Sequence, residues 1–247
     1  MHATDALKPR LERLRTCARE LRDCTSGLAL TEFAFSLPIL LTLGLMGLET
    51  ANLAMAHLRV SQIAVLTADN ASRVRESIDE ADIVELFTGA KMSGAGINFA
   101  QNGRIVLSNL EYNGTRQWLR WQRCDGALNV APSYGRPKTA GGTDIVNGTE
   151  IYNTDRQTTS SNPSSPTMSA IPATGMGPAG NQITAQNDGT AVMMVEVIYN
   201  YQPIIPNSFL NNIQIRYESG FQVRQRTNQS LLNANRITPR SCNAFNA

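Results

Sequence analysis

Residues 27–49 read GLALTEFAFSLPILLTLGLMGLE, and this stretch decides how the rest of the chain can fold. Before its last residue the only charged side chain is that of Glu32. The 21 residues 28–48 would extend about 31 Å as a helix, close to the thickness of a bilayer hydrocarbon core. The sequence therefore predicts a transmembrane helix over residues 28–50, in preference to the buried core helix of a soluble protein.

Charge is distributed unevenly on the two sides of this segment. Residues 1–27 carry six basic and four acidic side chains, and the remaining 220 residues carry 16 of each, so the whole net charge of +2 precedes the apolar run. Because basic flanks stay in the cytoplasm, we predict that the N-terminus lies inside the cell and that the chain after about residue 50 is exported. A net charge of +2 gives no indication of nucleic-acid binding.

The sequence offers two alternative sites of proteolytic cleavage at this segment. A conventional secretory signal has a basic region, an apolar core and a small-x-small cleavage site, and Ala-Met-Ala at residues 54–56 would place the cut before His57. However, an apolar run of 21 residues is long for such a signal, and a leader with four acidic residues is atypical. The other prediction is cleavage after Gly27, which would make Glu32 the fifth residue of a chain beginning at Leu28.

This second site resembles the one cut by prepilin peptidases, with a small residue before the cleaved bond and a glutamate at the fifth mature position. The stretch 27–49 as a whole resembles the opening of the TadE-like family, pseudopilins (minor pilins) of the bacterial tight-adherence, or Flp, pilus. The C-terminal part is similar too: a Val-rich strand, Tyr-x-Tyr-x-Pro at residues 199–203, a turn, and a strand ending in Val-Arg. The resemblance implies a structural pilus-assembly component, not an enzyme, that supports surface attachment and biofilm formation.

The resemblance also implies partners and site residues. A prepilin peptidase would cut between Gly27 and Leu28, and the mature protein would interact with other pilins and pseudopilins and with inner-membrane assembly machinery. Glu32 would pair with the Leu28 ammonium of its own or an adjacent subunit and so set the axial register of packed helices; alternatively, Glu32 faces the lipid headgroups. The implied location is a single-pass inner-membrane protein with a periplasmic C-terminal domain, or one associated with the pilus outside the cell.

Beyond the apolar run, the chain predicts a pilin-like α+β fold: the long N-terminal helix, followed by an antiparallel sheet of about four strands. Residues 51–90 are predicted to continue the helix in amphipathic form, because apolar residues recur at three- and four-residue steps. That apolar stripe would pack on sister subunits or on the protein's own sheet. A short second helix is predicted over residues 79–87, before the Gly-rich stretch 89–96.

Residues 91–247 are predicted to form the exported domain. Its first two strands, 105–112 and 115–123, flank Asn113-Gly114, a strong hairpin signal. Two further strands are predicted over 192–201 and 213–224, the last from alternating apolar and polar residues. A flexible insertion is predicted at about 125–189, because its central part has no charged residue and is rich in Ser, Thr, Pro and Gly.

The four cysteines divide between the two sides of the membrane. Cys17 and Cys24 lie in the predicted cytoplasmic leader, whereas Cys124 and Cys242 lie in the predicted exported part. Because two cysteines in an oxidising compartment usually pair, we predict a Cys124–Cys242 disulfide.

Motifs that carry enzyme chemistry are missing from the sequence. The chain has two histidines and contains no Cys-x-x-Cys, no His-Glu-x-x-His, no nucleophile elbow and no phosphate-binding Gly-rich loop. We therefore expect no catalytic residue, no metal and no cofactor.

Three classes of function follow from these features. The first is the structural pseudopilin; the second is a membrane-tethered or secreted binding module with a conventional signal sequence, which recognises a ligand through its sheet and long loop. The third, an exported hydrolase, has the least support. The mature N-terminus separates them: Leu28 indicates a pseudopilin, His57 a secreted module, and Met1 an uncleaved tether.

Overall fold

The computed structural model describes residues 15–20, 26–112, 117–137, 175–186, 190–206, 210–226 and 228–246. It confirms the predicted α+β fold, with a long N-terminal helix and a four-stranded antiparallel sheet. The chain divides into two compact units, Met1–Ala51 and Asn52–Ala247. The division falls next to the predicted end of the transmembrane segment at residue 50.

Helix α1 extends from Ser26 to Arg73 and is 48 residues long. All side chains of residues 28–48 are exposed. Further along, one face of the helix is buried in the core, at positions spaced three or four residues apart. The buried residues of this face are Ala56, Val60, Ile63, Ala64, Ala68 and Ala71.

The predicted helical continuation to residue 90 is wrong in its extent. Helix α1 ends at Arg73, and Val74 and Ile78 lie beyond it. The backbone of Glu76 is left-handed, with φ at 59°, which turns the chain away from the helix axis. Strand β1, Ile78–Asp79, follows and pairs in parallel with strand β6, Leu231–Leu232.

Helix α2, Glu80–Ser93, begins with a capping box and is longer than the helix predicted over 79–87. The Asp79 carboxylate accepts a hydrogen bond from the Ala81 amide at 3.0 Å, and the Asp82 carboxylate accepts one from the Asp79 amide at 2.8 Å. Gly89 lies inside this helix and does not end it, because packing of the buried face holds both sides of it in the core. A 3₁₀ turn, Ala95–Ile97, and helix α3, Phe99–Asn102, lead into the sheet.

The sheet contains strands β2 (Gly103–Tyr112), β3 (Gln117–Asp125), β4 (Ala191–Asn200) and β5 (Gln214–Gln222). Their order is β3-β2-β4-β5, and every pair is antiparallel. All four strands confirm the sequence predictions to within two residues at each end. The predicted Asn113-Gly114 turn lies outside the described residues.

Both faces of the sheet are covered by other parts of the fold. The inner face packs against α1 and α2 through apolar side chains that include Leu107, Trp121 and Val195. On the outer face, the Gln117 amide side chain both donates to and accepts from the backbone of Ala185, at 2.8 and 2.9 Å. The Ser133 amide donates to the Glu196 carboxylate at 3.1 Å. Residues 126–137 and 175–186, the described ends of the predicted insertion, are therefore attached to the sheet. Residues 138–174 lie outside the described residues.

A buried ion pair joins the sheet to helix α2. The side chains of Arg123 on β3 and Glu80 on α2 are 1% and 0% exposed. The Arg123 Nε atom donates to Glu80 Oε1 at 2.7 Å, and Arg123 Nη2 donates to the same oxygen. Because both charges are removed from water, changing one partner is costly.

We expect Glu80→Gln to lower the free energy of unfolding by about 3 kcal/mol, near the low end for a broken buried pair, because glutamine keeps an acceptor but loses the charge. Urea unfolding of the full-length protein in detergent, followed by circular dichroism, measures the change. The control is Arg73→Gln, which breaks an ion pair to Asp69 from an arginine that is 60% exposed and should cost less than about 0.5 kcal/mol. Equal losses in the two variants would contradict the prediction.

Candidate functional site

The predicted processing site lies at the start of helix α1. Gly27 is the second residue of the helix, and no atom lies within 4 Å of the position that a Cβ would occupy. Packing of the described residues therefore does not require glycine at this position. The next residue, Leu28, is exposed. A requirement for a small side chain at Gly27 would have to come from a partner such as a peptidase.

Glu32 lies four residues after Leu28, which places both side chains on the same face of α1 one turn apart. Large apolar side chains close to it along the helix are exposed, among them Phe33 and Phe35, the latter 79% exposed. No hydrogen bond or ion pair joins Glu32 to another of the described residues. The carboxylate is therefore available to a partner group supplied by processing or by another chain.

The hydroxyl groups of the apolar segment are satisfied within the helix. Each donates to a backbone carbonyl three or four residues earlier, so none of these hydroxyl groups needs water as an acceptor. The bonds are Thr31 to Leu28 at 2.7 Å, Ser36 to Phe33 at 3.1 Å, Thr42 to Pro38 at 2.7 Å and Thr50 to Met46 at 2.8 Å. Within residues 28–48, Glu32 is thus the polar side chain that the helix itself does not satisfy.

The predicted disulfide is confirmed. Cys124, near the end of β3, is bonded to Cys242 in the C-terminal tail, with their Cα atoms 4.7 Å apart. Beside the disulfide, the Cys124 amide donates to the Arg240 carbonyl at 3.0 Å and the Gly126 amide donates to the Asn246 carbonyl at 3.1 Å. The tail therefore covers this end of the β3 edge. Cys17 is a free, exposed cysteine, and Cys24 lies outside the described residues.

Arg104 fixes the tail from within the fold, a role that sequence reasoning missed. Its guanidinium donates to the carbonyl oxygens of Gly126, Cys242 and Ala244, at 2.8, 2.8 and 2.6 Å. The group also stacks 4.5 Å from the centre of the Phe245 ring. Burial lowers the pKa of Arg104 to about 10. The signal available in the sequence was an arginine directly before the apolar run at residues 105–107.

Sequence reasoning also missed a polar cluster on the outer face of the sheet. The Tyr134 hydroxyl donates to Glu218 Oε1 at 2.6 Å, and burial raises the pKa of Tyr134 to about 12. Burial also raises the pKa of Glu196, which accepts from the Ser133 amide and lies 3.4 Å from an Arg216 nitrogen. Within the described ranges, no three His, Cys, Asp or Glu side chains are placed to hold a metal ion. These polar groups hold the covering segment 130–137 against the sheet.

Among the described residues, one helix is long and apolar enough to cross a membrane, and none of its apolar window is buried within the protein. The fold and this segment define an α+β protein with an N-terminal helix that can serve as a single membrane span. No family model matches the chain, and neither the curated proteins nor the solved structures contain a match.

Proposed function

We propose that this protein is a pseudopilin-like structural component of Flp pilus assembly in the bacterial inner membrane. A prepilin peptidase removes residues 1–27 on the cytoplasmic side, and the C-terminal domain is periplasmic. Assembly with other pilins and pseudopilins then supports surface attachment and biofilm formation. The observation that carries the proposal is the exposed apolar helix that begins next to Gly27 and has Glu32 one turn beyond Leu28.

Cleavage would supply the missing partner of Glu32. An ionised carboxylate inside a membrane costs on the order of 2–4 kcal/mol, so such groups are normally paired. Cleavage after Gly27 turns the Leu28 nitrogen into an ammonium group, one helical turn from Glu32. The same ammonium on an adjacent helix offers an equivalent partner. Neutralisation of each Glu32 by a Leu28 ammonium would then favour one axial register between packed helices.

We expect Glu32→Gln to leave membrane insertion and the Leu28 N-terminus intact while lowering crosslinking into the pilus complex by at least about tenfold, because the amide cannot neutralise an ammonium in the membrane. The measurements are N-terminal sequencing of the membrane-bound protein, crosslinking in cells and a count of surface pili.

The matched control is Thr42→Ala, which removes a hydroxyl that bonds only to its own helix and should change neither processing nor assembly. If Glu32 faces the headgroups, Glu32→Gln should behave like this control. Normal numbers of pili and of subunit crosslinks in the Glu32→Gln strain would therefore rule out the pairing.

The structure offers an argument against cleavage before His57. Ala56 lies inside helix α1 and is 1% exposed in the core, so a cut at this bond would divide the helix and remove a buried residue. The alternative of a secreted binding module requires that cut. A mature protein that begins at His57 would support the module and contradict the pseudopilin.

A further inference from the structure

Strand β5 is an open edge of the sheet. Its neighbour within the described residues is β4, and no strand lies on its other side. The Tyr201 amide donates to the Ile213 carbonyl and the Val223 amide to the Ala191 carbonyl, both at 2.8 Å. Odd-numbered positions along β5 therefore bond to β4, and even-numbered positions direct their backbone groups away from it. The even-numbered positions are Gln214, Arg216, Glu218, Gly220 and Gln222.

The two edge strands of the sheet, β3 and β5, differ in how far the described residues cover them. The C-terminal tail covers the end of the β3 edge and is held there by the disulfide and by Arg104. By contrast, β5 keeps an unbroken nine-residue register with β4 and contains no proline. Proteins usually cover, shorten or distort such edges, because an exposed row of amides and carbonyls binds further strands. Within the part of the chain that the structure describes, no segment covers this long, regular edge, so it indicates a binding surface.

We propose that β5 pairs antiparallel with β5 of a second copy of this chain, centred on Tyr217. In this register Arg216 of each copy lies opposite Glu218 of the other, so two cross-strand pairs of opposite charge form. Both positions direct their backbone groups outward, as the hydrogen-bonded pairs of an antiparallel ladder require. At the centre, the two Tyr217 side chains meet on the inner face.

Electrostatic repulsion disfavours the registers that are shifted by two residues from this one. Shifting one strand by two residues, the smallest step that keeps the outward groups paired, places Arg216 opposite Arg216 or Glu218 opposite Glu218. Like charges directly opposite each other destabilise a strand pair. The same charges that would repel a misaligned strand therefore complement a correctly aligned second copy.

Both charged side chains are held in place before pairing. The Arg216 Nη1 atom donates to Ser133 Oγ at 2.7 Å and lies 3.4 Å from Glu196 Oε1 of its own chain. Glu218 Oε1 accepts from the Tyr134 hydroxyl at 2.6 Å. The Glu218 Oε2 atom has no hydrogen-bond partner among the described residues, so it is available to the second copy. Side chains that are already oriented lose less conformational entropy when the two copies bind.

The test uses purified full-length protein in a density-matched detergent, with the mass measured by sedimentation equilibrium. We expect the wild-type protein, with its leader retained, to form a dimer of twice 26.9 kDa. Arg216→Glu and Glu218→Arg should each weaken self-association at least tenfold, because four like charges then meet. An equimolar mixture of the two variants should dimerise again, because opposite charges face each other in the mixed pair.

Arg224→Glu makes the same charge change at a 59% exposed residue outside the paired register, and it should leave the dimer unchanged. Arg216→Gln and Glu218→Gln, which add no repulsion, provide a milder second test and should each weaken dimerisation about threefold. A monomeric wild type, single reversals that leave the dimer intact, or a mixture that stays monomeric would each overturn the proposal. If the dimer instead formed through the apolar helix, none of these charge substitutions would change its dissociation constant.

Discussion

Gly27→Trp is expected to leave a membrane-bound precursor about 3 kDa heavier than the mature wild-type protein. The difference is the mass of 27 leader residues at roughly 110 Da each. A peptidase that cuts after Gly27 must fit closely around that position, and glycine presents no side chain. Because no atom lies within 4 Å of the Gly27 Cβ position, tryptophan should not disturb the described fold. Immunoblotting and intact mass of the membrane fraction measure the outcome.

Gly44→Trp is the matched control for this variant. Gly44 lies in the same apolar segment, also with no atom within 4 Å of its Cβ position, but it is far from the proposed cleavage site. Its processing should remain complete, which separates a local block of the peptidase from a general effect of a bulky residue in the helix. Complete processing of Gly27→Trp would remove the main support for the pseudopilin proposal.

Removing the disulfide should have the largest effect on stability. The double variant Cys124→Ser/Cys242→Ser is expected to lose up to about 4–5 kcal/mol of unfolding free energy, because the disulfide closes a long loop and restricts the unfolded chain. The two cysteines are separated by 118 residues. Chemical unfolding of the full-length oxidised protein, compared with the variant, measures the loss.

Cys17→Ser is the control for thiol chemistry, since Cys17 is free and exposed, and it should leave stability unchanged. Reduction of the wild-type protein should reproduce the loss seen in the double variant. Thiol labelling of both Cys124 and Cys242 without reduction, or a double variant as stable as the wild type, would contradict the prediction.

Much of the fold was predictable because its signals are local. The apolar run 28–48 and the alternation along β5 each repeat with the period of the element that they form. The disulfide followed from the compartment on each side of the predicted span. The proposed site, Gly27 to Glu32, was equally predictable, because it depends on spacing within one helix and not on folding of the rest of the chain.

Other features could not be predicted, because they depend on residues far apart in the chain. The two-residue strands β1 and β6 show no periodicity and exist only because residues 78–79 and 231–232 meet. The charged residues in β3 suggest exposed positions, but Arg123 is buried because it pairs with Glu80. The burial of β3 could therefore not be predicted from its sequence. A sequence pattern shows whether each residue is polar or apolar, but it does not show which distant group will pair with a polar side chain that becomes buried.

The sequence by itself determined the apolar helix and the four strands of the larger sheet, because composition and period act over a few neighbouring residues. It also separated Cys124 and Cys242 from the two cysteines that precede the apolar run. Only the tertiary structure decided where α1 ends, since the left-handed Glu76 redirects the chain towards β1. It also decided the strand order β3-β2-β4-β5 and hence which edge the tail covers. The proposed pairing of Arg216 with Glu218 of a second copy is possible only because that order leaves β5 at the edge of the sheet. Strand order is set by packing between residues far apart in the chain, which no local pattern contains.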